Sequence, residues 1–349
     1  YELQVKLMFK FFKEHKDRWI ASLIVLVLLI VCCANADSGE IREAAVTDSK
    51  HYKSTAEWMR DIADDTYISS ISIPGTHDSA AKYVFPGFAL KTQNMSIADQ
   101  LTNGYRYLDI RLSVANTKQG KRLGFVHNMG KCRESRMIFS KQIYLDEVLD
   151  QIYAFLKAHP SETVLFCVKD ENEKDNAEEF EQLLFDEIDK NRSEWYLNDS
   201  IPKLSQVRGK IVLLSRFENP LMRSTGLDFK WDDQGNTDSV DLPYVNYSVG
   251  DDGNLWVQDR YRYTVAQKED AFIDMLENVQ PDDSTFALNF LSTTNGGGIS
   301  HPKSYAQTLN NVLLEQDLHP NTSYGIIVVD YGTKEIAQHV YMTNFSKEQ

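Results

Sequence analysis

The sequence predicts an α/β protein, an irregular (β/α)8 TIM barrel forming a single domain behind an N-terminal signal segment. Three observations carry this expectation. First, eight short apolar, β-branched runs recur at 67–73, 105–112, 122–127, 163–169, 210–215, 254–259, 285–291 and 325–330. Second, several runs are apolar without interruption, such as Val164-Leu165-Phe166-Cys167-Val168 and Ile211-Val212-Leu213-Leu214. Strands buried on both faces of a parallel sheet look like this, because neither face meets water. Third, apolar stripes at helical spacing separate many of the runs, and strands alternating with helices point to a closed barrel.

Taken in order, the chain opens on Lys6, Lys10, Lys13, Lys16 and Arg18, followed by an uncharged stretch from 20 to 31 and the small residues Ala34-Asn35-Ala36. This is the pattern of a secretory signal. The apolar stretch 20–34 is 15 residues, short of the ~20 that span a bilayer. A cleaved signal over 1–36 and a secreted protein are therefore expected, with a membrane-anchored form as the alternative. Residues 37–54 are polar and aperiodic and read as a flexible lead-in, which leaves 55–349 for the barrel. Of the four cysteines, Cys132 and Cys167 would remain after cleavage. Two are too few for a disulfide framework, and Cys167 lies in an apolar run as a buried thiol does.

Within the barrel, only residues 113–121 separate the second and third runs, too few for a helix. Leu145, Val148, Leu149, Ile152, Phe155 and Leu156 make a helical stripe that His159-Pro160 stops. Further stripes are Phe180, Leu183, Leu184 and Ile188; Phe272, Met275, Leu276 and Val279; and Tyr305, Leu309, Val312 and Leu313. All four read as core faces. Residues 217–253 are rich in Asp, Asn and Gly with no helical period, and loops of that length are usually functional or disordered.

The 349 residues are 42% hydrophobic and 25% charged, which excludes a disordered chain. The 37 basic and 51 acidic residues give a formal charge of −14. A protein that neutralises a nucleic-acid backbone is usually basic, so nucleic acid is not an expected partner.

Barrel active sites gather at the C-terminal strand ends. Here those ends carry His77 and Asp78, then Asp109 and Arg111, His127, and Lys169, Asp170 and Glu171. Arg216, Asp259 with Tyr261, Asn289 and Asp330 complete the ring. One polar residue at a strand end is ordinary; eight ends that converge in space are harder to dismiss. Two histidines can serve as general base and general acid. Asp78 and Asp330 can each orient a histidine. Arg111, Lys169 and Arg216 are fixed cations, and the arginine fork suits phosphate oxygens. With no serine or cysteine nucleophile in the set, these residue types suit phosphodiester cleavage by water or by a substrate hydroxyl.

The residues 71–79, Ile-Ser-Ile-Pro-Gly-Thr-His-Asp-Ser, resemble the opening motif of bacterial phosphatidylinositol-specific phospholipase C, an X-domain phosphodiesterase family. Tyr107-Leu108-Asp109-Ile110-Arg111 is similar to its second motif. Similarity continues through Pro160-Ser161-Glu162-Thr163, residues 208–214, Val257-Gln258-Asp259 and Leu288-Asn289-Phe290 to Val329-Asp330-Tyr331.

The resemblance implies cleavage of phosphatidylinositol to diacylglycerol and inositol 1,2-cyclic phosphate, with no cofactor. It implies His77 as base, His127 as acid, Asp330 supporting His77, Asp78 supporting His127, and Arg111 stabilising the phosphate. It implies Lys169, Arg216, Asp259 and Tyr261 as inositol contacts, with Asp109, Glu171 and Asn289 in support. No metal is expected, because Arg111 stands where metal-dependent relatives place a carboxylate ligand. The chain departs from the family at the third run, where His127-Asn128-Met129-Gly130 replaces His-Gly, and in lacking a rim tryptophan near Gly296. Phe85, Phe88 and Leu90 are the expected membrane rim in its place. The expected partner is a phosphatidylinositol-containing membrane surface, reached by a monomer, with glycosylphosphatidylinositol-anchored proteins as further substrates. A phosphodiesterase for another headgroup and a non-catalytic inositol-lipid binding module are the alternatives.

Overall fold

The computed structural model describes residues 54–346 except 138, 173, 298 and 299. The signal segment 1–36 and the lead-in up to 53 lie outside the described residues. Among the described residues, twelve strands form one sheet. β1 (Ile73–Thr76), β2 (Tyr107–Thr117), β5 (Val164–Asp170) and β7 (Ile211–Arg216) are parallel neighbours in the order β1-β2-β5-β7. On the other side of β1 come β12 (Ile326–Val329), β11 (Thr285–Phe290) and β10 (Gly253–Gln258), also parallel. β9 (Val245–Val249) pairs antiparallel with β10.

The barrel is irregular in two ways that the sequence did not disclose. The run at 122–127 belongs to β3 (Gly120–His127), an antiparallel partner of β2 rather than a wall strand. β2 overshoots the rim by its last residues, and β3 returns the chain to rim level, where β4 (Gly130–Lys131) turns it back. The wall position beyond β7 is filled instead by two-residue strands, β6 (Trp195–Tyr196) and β8 (Leu227–Asp228), both parallel to β7. The segment 217–253 thus supplies β8 and β9. Among the described residues no ladder joins β6 or β8 to β9 or β10. Side chains close that seam: Tyr196, Leu227, Phe229, Val249 and Leu255 share one buried cluster, and Phe229 meets Phe286 edge to face at 5.0 Å.

The first strand also begins later than 67. Ile68–Ser70 is a 3-10 turn that sends Ile68 and Ile71 into the barrel floor, and Ile68 N donates to Pro202 O. β1 needs glycine at 75, because a Cβ there would stand 2.8 Å from the Tyr107 ring. The four predicted helices form as α3 (Leu145–Ala158), α4 (Ala177–Ile188), α6 (Val265–Asn278) and α7 (Pro302–Glu315). The shorter α1 (Gly87–Leu90), α2 (Ile97–Thr102), α5 (Leu204–Val207) and α8 (Lys334–Tyr341) complete the set. Strand alternation divides the core. Tyr107, Leu165, Cys167, Leu214, Val257, Leu288 and Val328 point inward. Leu108, Phe166 and Leu213 meet α3 and α4, while Ile327 and Val329 meet α6, α7 and α8. Cys132 and Cys167 are buried free thiols. Among the described residues no helix is long and apolar enough to cross a membrane.

Candidate active site

Inward parity continues past the last apolar residues and delivers the site. Arg111 is in register with Lys169, and Lys169 with Arg216. In-register positions of adjacent strands share a face, so three cations stand in one row across β2, β5 and β7. His77 follows β1 and Asp330 follows β12, directly beyond the paired Thr76 and Val329. Asp78 has a φ of 43°, in the left-handed region that aspartate tolerates better than most residues.

The two histidines face each other with ring centroids 6.0 Å apart. His77 Nδ1 lies 2.8 Å from Asp330 Oδ1, which leaves Nε2 toward the pocket. Burial opposes a charge on His77, but the Asp330 carboxylate overrides it and lifts the imidazole to about 9. His127 is fixed differently: its Nδ1 lies 2.6 Å from the Leu90 carbonyl. Asp78 Oδ2 sits between the rings, 3.2 Å from His127 Nε2 and 3.4 Å from His77 Nε2. The extra residues after His127 do not displace it, because Asn128 takes up a φ of 50° and the chain loops outward to Met129, which is almost wholly exposed.

Arg111 binds three carboxylates. Its guanidinium lies 3.1 Å from Asp109, 3.3 Å from Glu171 and 3.4 Å from Asp78. Burial works against the charges of Asp109 and Glu171, yet Arg111 holds both below the usual carboxylate range, Glu171 at about 2. Lys169 adds a 2.7 Å bond to Glu171. Burial lifts Asp78 in the opposite direction, and Arg111 only partly offsets that. His77, Asp78 and Asp109 are also the one group of potential metal ligands among the described residues. The Arg111 guanidinium stands against both aspartates of that group, so a cation there would face a fixed positive charge.

On the opposite wall, Arg216 lies over the Trp231 ring at 3.2 Å. Trp231 Nε1 donates to Asp259 Oδ2 at 3.1 Å, and Phe290 packs against both Trp231 and His77. Trp231 was not legible in the sequence, since its loop shows no period. Tyr261 donates to Asp233 at 2.7 Å. Buried Asp109 Oδ1 and Arg216 Nη1 have no hydrogen-bond partner in the protein. Buried polar atoms are rarely left so, and together they outline a polar cradle for a ligand rich in oxygen.

Two expected members stand elsewhere. Asn289 has the outward parity of its strand, accepting from Gln258 and donating to Phe272 O; it braces the helix side of the wall rather than the pocket. Leu90 is not a free rim side chain, since it is partly buried against the core, and its carbonyl holds His127. Phe85 and Phe88 are exposed at 75% and 43%.

Residues 73–217 match the family phosphatidylinositol-specific phospholipase C, X domain. The chain is 26% identical over 319 residues to a 1-phosphatidylinositol phosphodiesterase of Listeria monocytogenes, covering 84% of this chain and 87% of the relative. A 1-phosphatidylinositol phosphodiesterase of Staphylococcus aureus is 26% identical over 326 residues, covering 89% of this chain and 93% of the relative. Among solved structures, a phosphatidylinositol-specific phospholipase C from Listeria monocytogenes superposes with a TM-score of 0.60 at 25% identity, over 84% of this chain and 99% of that one. One from Staphylococcus aureus gives a TM-score of 0.68 at 23% identity over 83% and 98%, respectively.

Proposed function

We propose that this chain, whose residues 73–217 match the X domain of phosphatidylinositol-specific phospholipase C, cleaves phosphatidylinositol to diacylglycerol and inositol 1,2-cyclic phosphate. The observation that carries this reading is the facing pair His77 and His127 beside a buried arginine. His77 Nε2 takes the proton of the inositol 2-hydroxyl. That oxygen forms a bond to phosphorus, the bond from phosphorus to the glycerol oxygen breaks, and His127 protonates the departing oxygen. Arg111 meets the charge on a non-bridging phosphate oxygen, in a low-dielectric site where a preorganised donor is worth most. Lys169, Arg216 and Asp259 hydrogen-bond the inositol hydroxyls, and Tyr261 packs on the ring. No metal is required, since Arg111 supplies the positive charge. The protein reaches its lipid from outside the cell, exported by residues 1–36.

Phosphorus NMR with EDTA present tests the reading. A cyclic phosphate signal from phosphatidylinositol is expected; no turnover, or turnover only after Ca2+ is added, overturns it. A phospholipid panel in the same assay separates this reading from action on another headgroup.

A base must be neutral to accept a proton. With His77 lifted to about 9, about one free enzyme molecule in a hundred holds it neutral at pH 7. The value of kcat/KM therefore rises about tenfold per pH unit between 6 and 8 and levels near 9. Asp330→Asn removes the carboxylate that raises His77, so this limb moves to lower pH while the maximal rate falls. An acid limb that stays in place in Asp330→Asn sinks the assignment of His77.

A further inference from the structure

The strand that delivers His127 continues into a turn and hairpin whose composition departs from the rest of the chain. The whole chain is formally −14, yet residues 129–141 hold Lys131, Arg133, Arg136 and Lys141 against Glu134 alone. In the same stretch Met129, Met137 and Phe139 are exposed at 99%, 75% and 97%. Large apolar side chains standing in water within one short, net-positive stretch mark a contact surface. Packing joins this stretch to residues 83–90. Arg133 N donates to Tyr83 O at 2.8 Å. A Cβ on Gly130 would meet Val84 at 2.6 Å and Leu90 at 2.7 Å. His301, beyond the glycine-rich loop, closes on Phe88 with centroids 6.1 Å apart.

We propose that this hairpin is a second membrane-docking element, which seats a bilayer carrying anionic phosphatidylinositol together with Phe85 and Phe88. The proposal rests on the lipid substrate assigned above. Met129, Met137 and Phe139 enter the headgroup boundary as apolar anchors, while the exposed Lys131 and Arg136 meet anionic headgroups. Charge complementarity favours a bilayer over a second copy of this chain. A twofold dimer through this surface would set the positive stretch against itself. Docking here also reaches the chemistry, because His127 lies between the hairpin and the Leu90 carbonyl that holds its ring.

Flotation of the full chain with vesicles of phosphatidylcholine alone, or of phosphatidylcholine mixed with phosphatidylinositol, tests this. The double variant Met137→Ser/Phe139→Ser is expected to lower binding to both vesicles about tenfold. Lys131→Gln/Arg136→Gln is expected to lower binding to the mixed vesicles alone, at low salt, because only surface charge attraction is lost. Both keep turnover of a short-chain, monomeric phosphatidylinositol within about twofold, since no substituted side chain lines the pocket. The substituted positions are exposed, and Met129→Ser serves as an independent third variant should either pair fail to fold. Unchanged vesicle binding in these variants overturns the proposal, as does a dimer in light scattering that the same substitutions dissolve. If the wild type binds vesicles but turns over no phosphatidylinositol, the assigned reaction fails while the docking surface stands.

Discussion

His127→Ala is expected to lower turnover of phosphatidylinositol by about 10²–10⁴-fold, the usual contribution of a positioned proton donor. The effect depends on the leaving group. Diacylglycerol departs as a strongly basic alkoxide unless it is protonated, whereas p-nitrophenol departs without help. The same variant is therefore expected to keep most of its activity on a p-nitrophenyl ester of inositol phosphate. His77→Ala is expected to lose activity on both substrates, because deprotonation of the 2-hydroxyl precedes departure of either group. Equal losses for the two variants on the aryl ester would remove His127 from the acid role. Geometry supports the division of labour. His77 Nδ1 is tied to a carboxylate, which favours a ring that receives a proton. His127 Nδ1 is tied to the Leu90 carbonyl, which fixes the ring with Nε2 beside Asp78 Oδ2.

Arg111→Ala carries the second large effect, on both rate and stability. Loss of one preorganised donor to a developing charge costs about 10²–10³ in kcat. The fold loses more than a surface ion pair would, because the Asp78, Asp109 and Glu171 side chains are exposed by only 2%, 0% and 5%. Removing the cation that binds buried carboxylates costs about 3–5 kcal/mol. Urea denaturation at pH 7 reads this directly. Both Asp109 and Glu171 are depressed below their unfolded values, so the stability they contribute is present at neutral pH and is lost as pH falls. For Glu171 that window runs from 4.5 down to about 2. The gap between wild type and Arg111→Ala should close over the same window. A gap that persists in acid, or wild-type stability at pH 7, refutes this account. Arg111→Lys is expected to recover little, because an ammonium cannot reach three carboxylates with a planar fork.

Much of the site could be read from the sequence because most of it sits on strands buried on both faces. There, a charged residue after an apolar run marks where the strand emerges. Arg111, Lys169 and Arg216 were legible for that reason, as were His77 and Asp330. The limits have equally specific causes. In β11, Phe286, Ala287, Leu288 and Phe290 are apolar on both faces of the strand, so alternation could not reveal that Leu288 and Phe290 face inward and Asn289 outward. β6 and β8 are two residues each, too short to show any period. The 122–127 run reads as a wall strand because Leu123, Phe125 and Val126 are apolar; only its pairing shows that it is the return arm of a hairpin. Trp231 lies in an aperiodic loop, and its place beneath Arg216 is a tertiary fact.

The cation row has a meaning for folding as well as for chemistry. Side chains alternate faces along a strand, so a slip of β5 by one residue against β2 would turn Lys169 toward the helices and bring a neighbour into its place. The same slip would drive a lysine into an apolar layer with no carboxylate to meet it. A chain that pairs these strands out of frame is thus both inactive and electrostatically penalised. The pocket proofreads the alignment of the sheet that builds it, and the accuracy of assembly is enforced by the same charges that line the site.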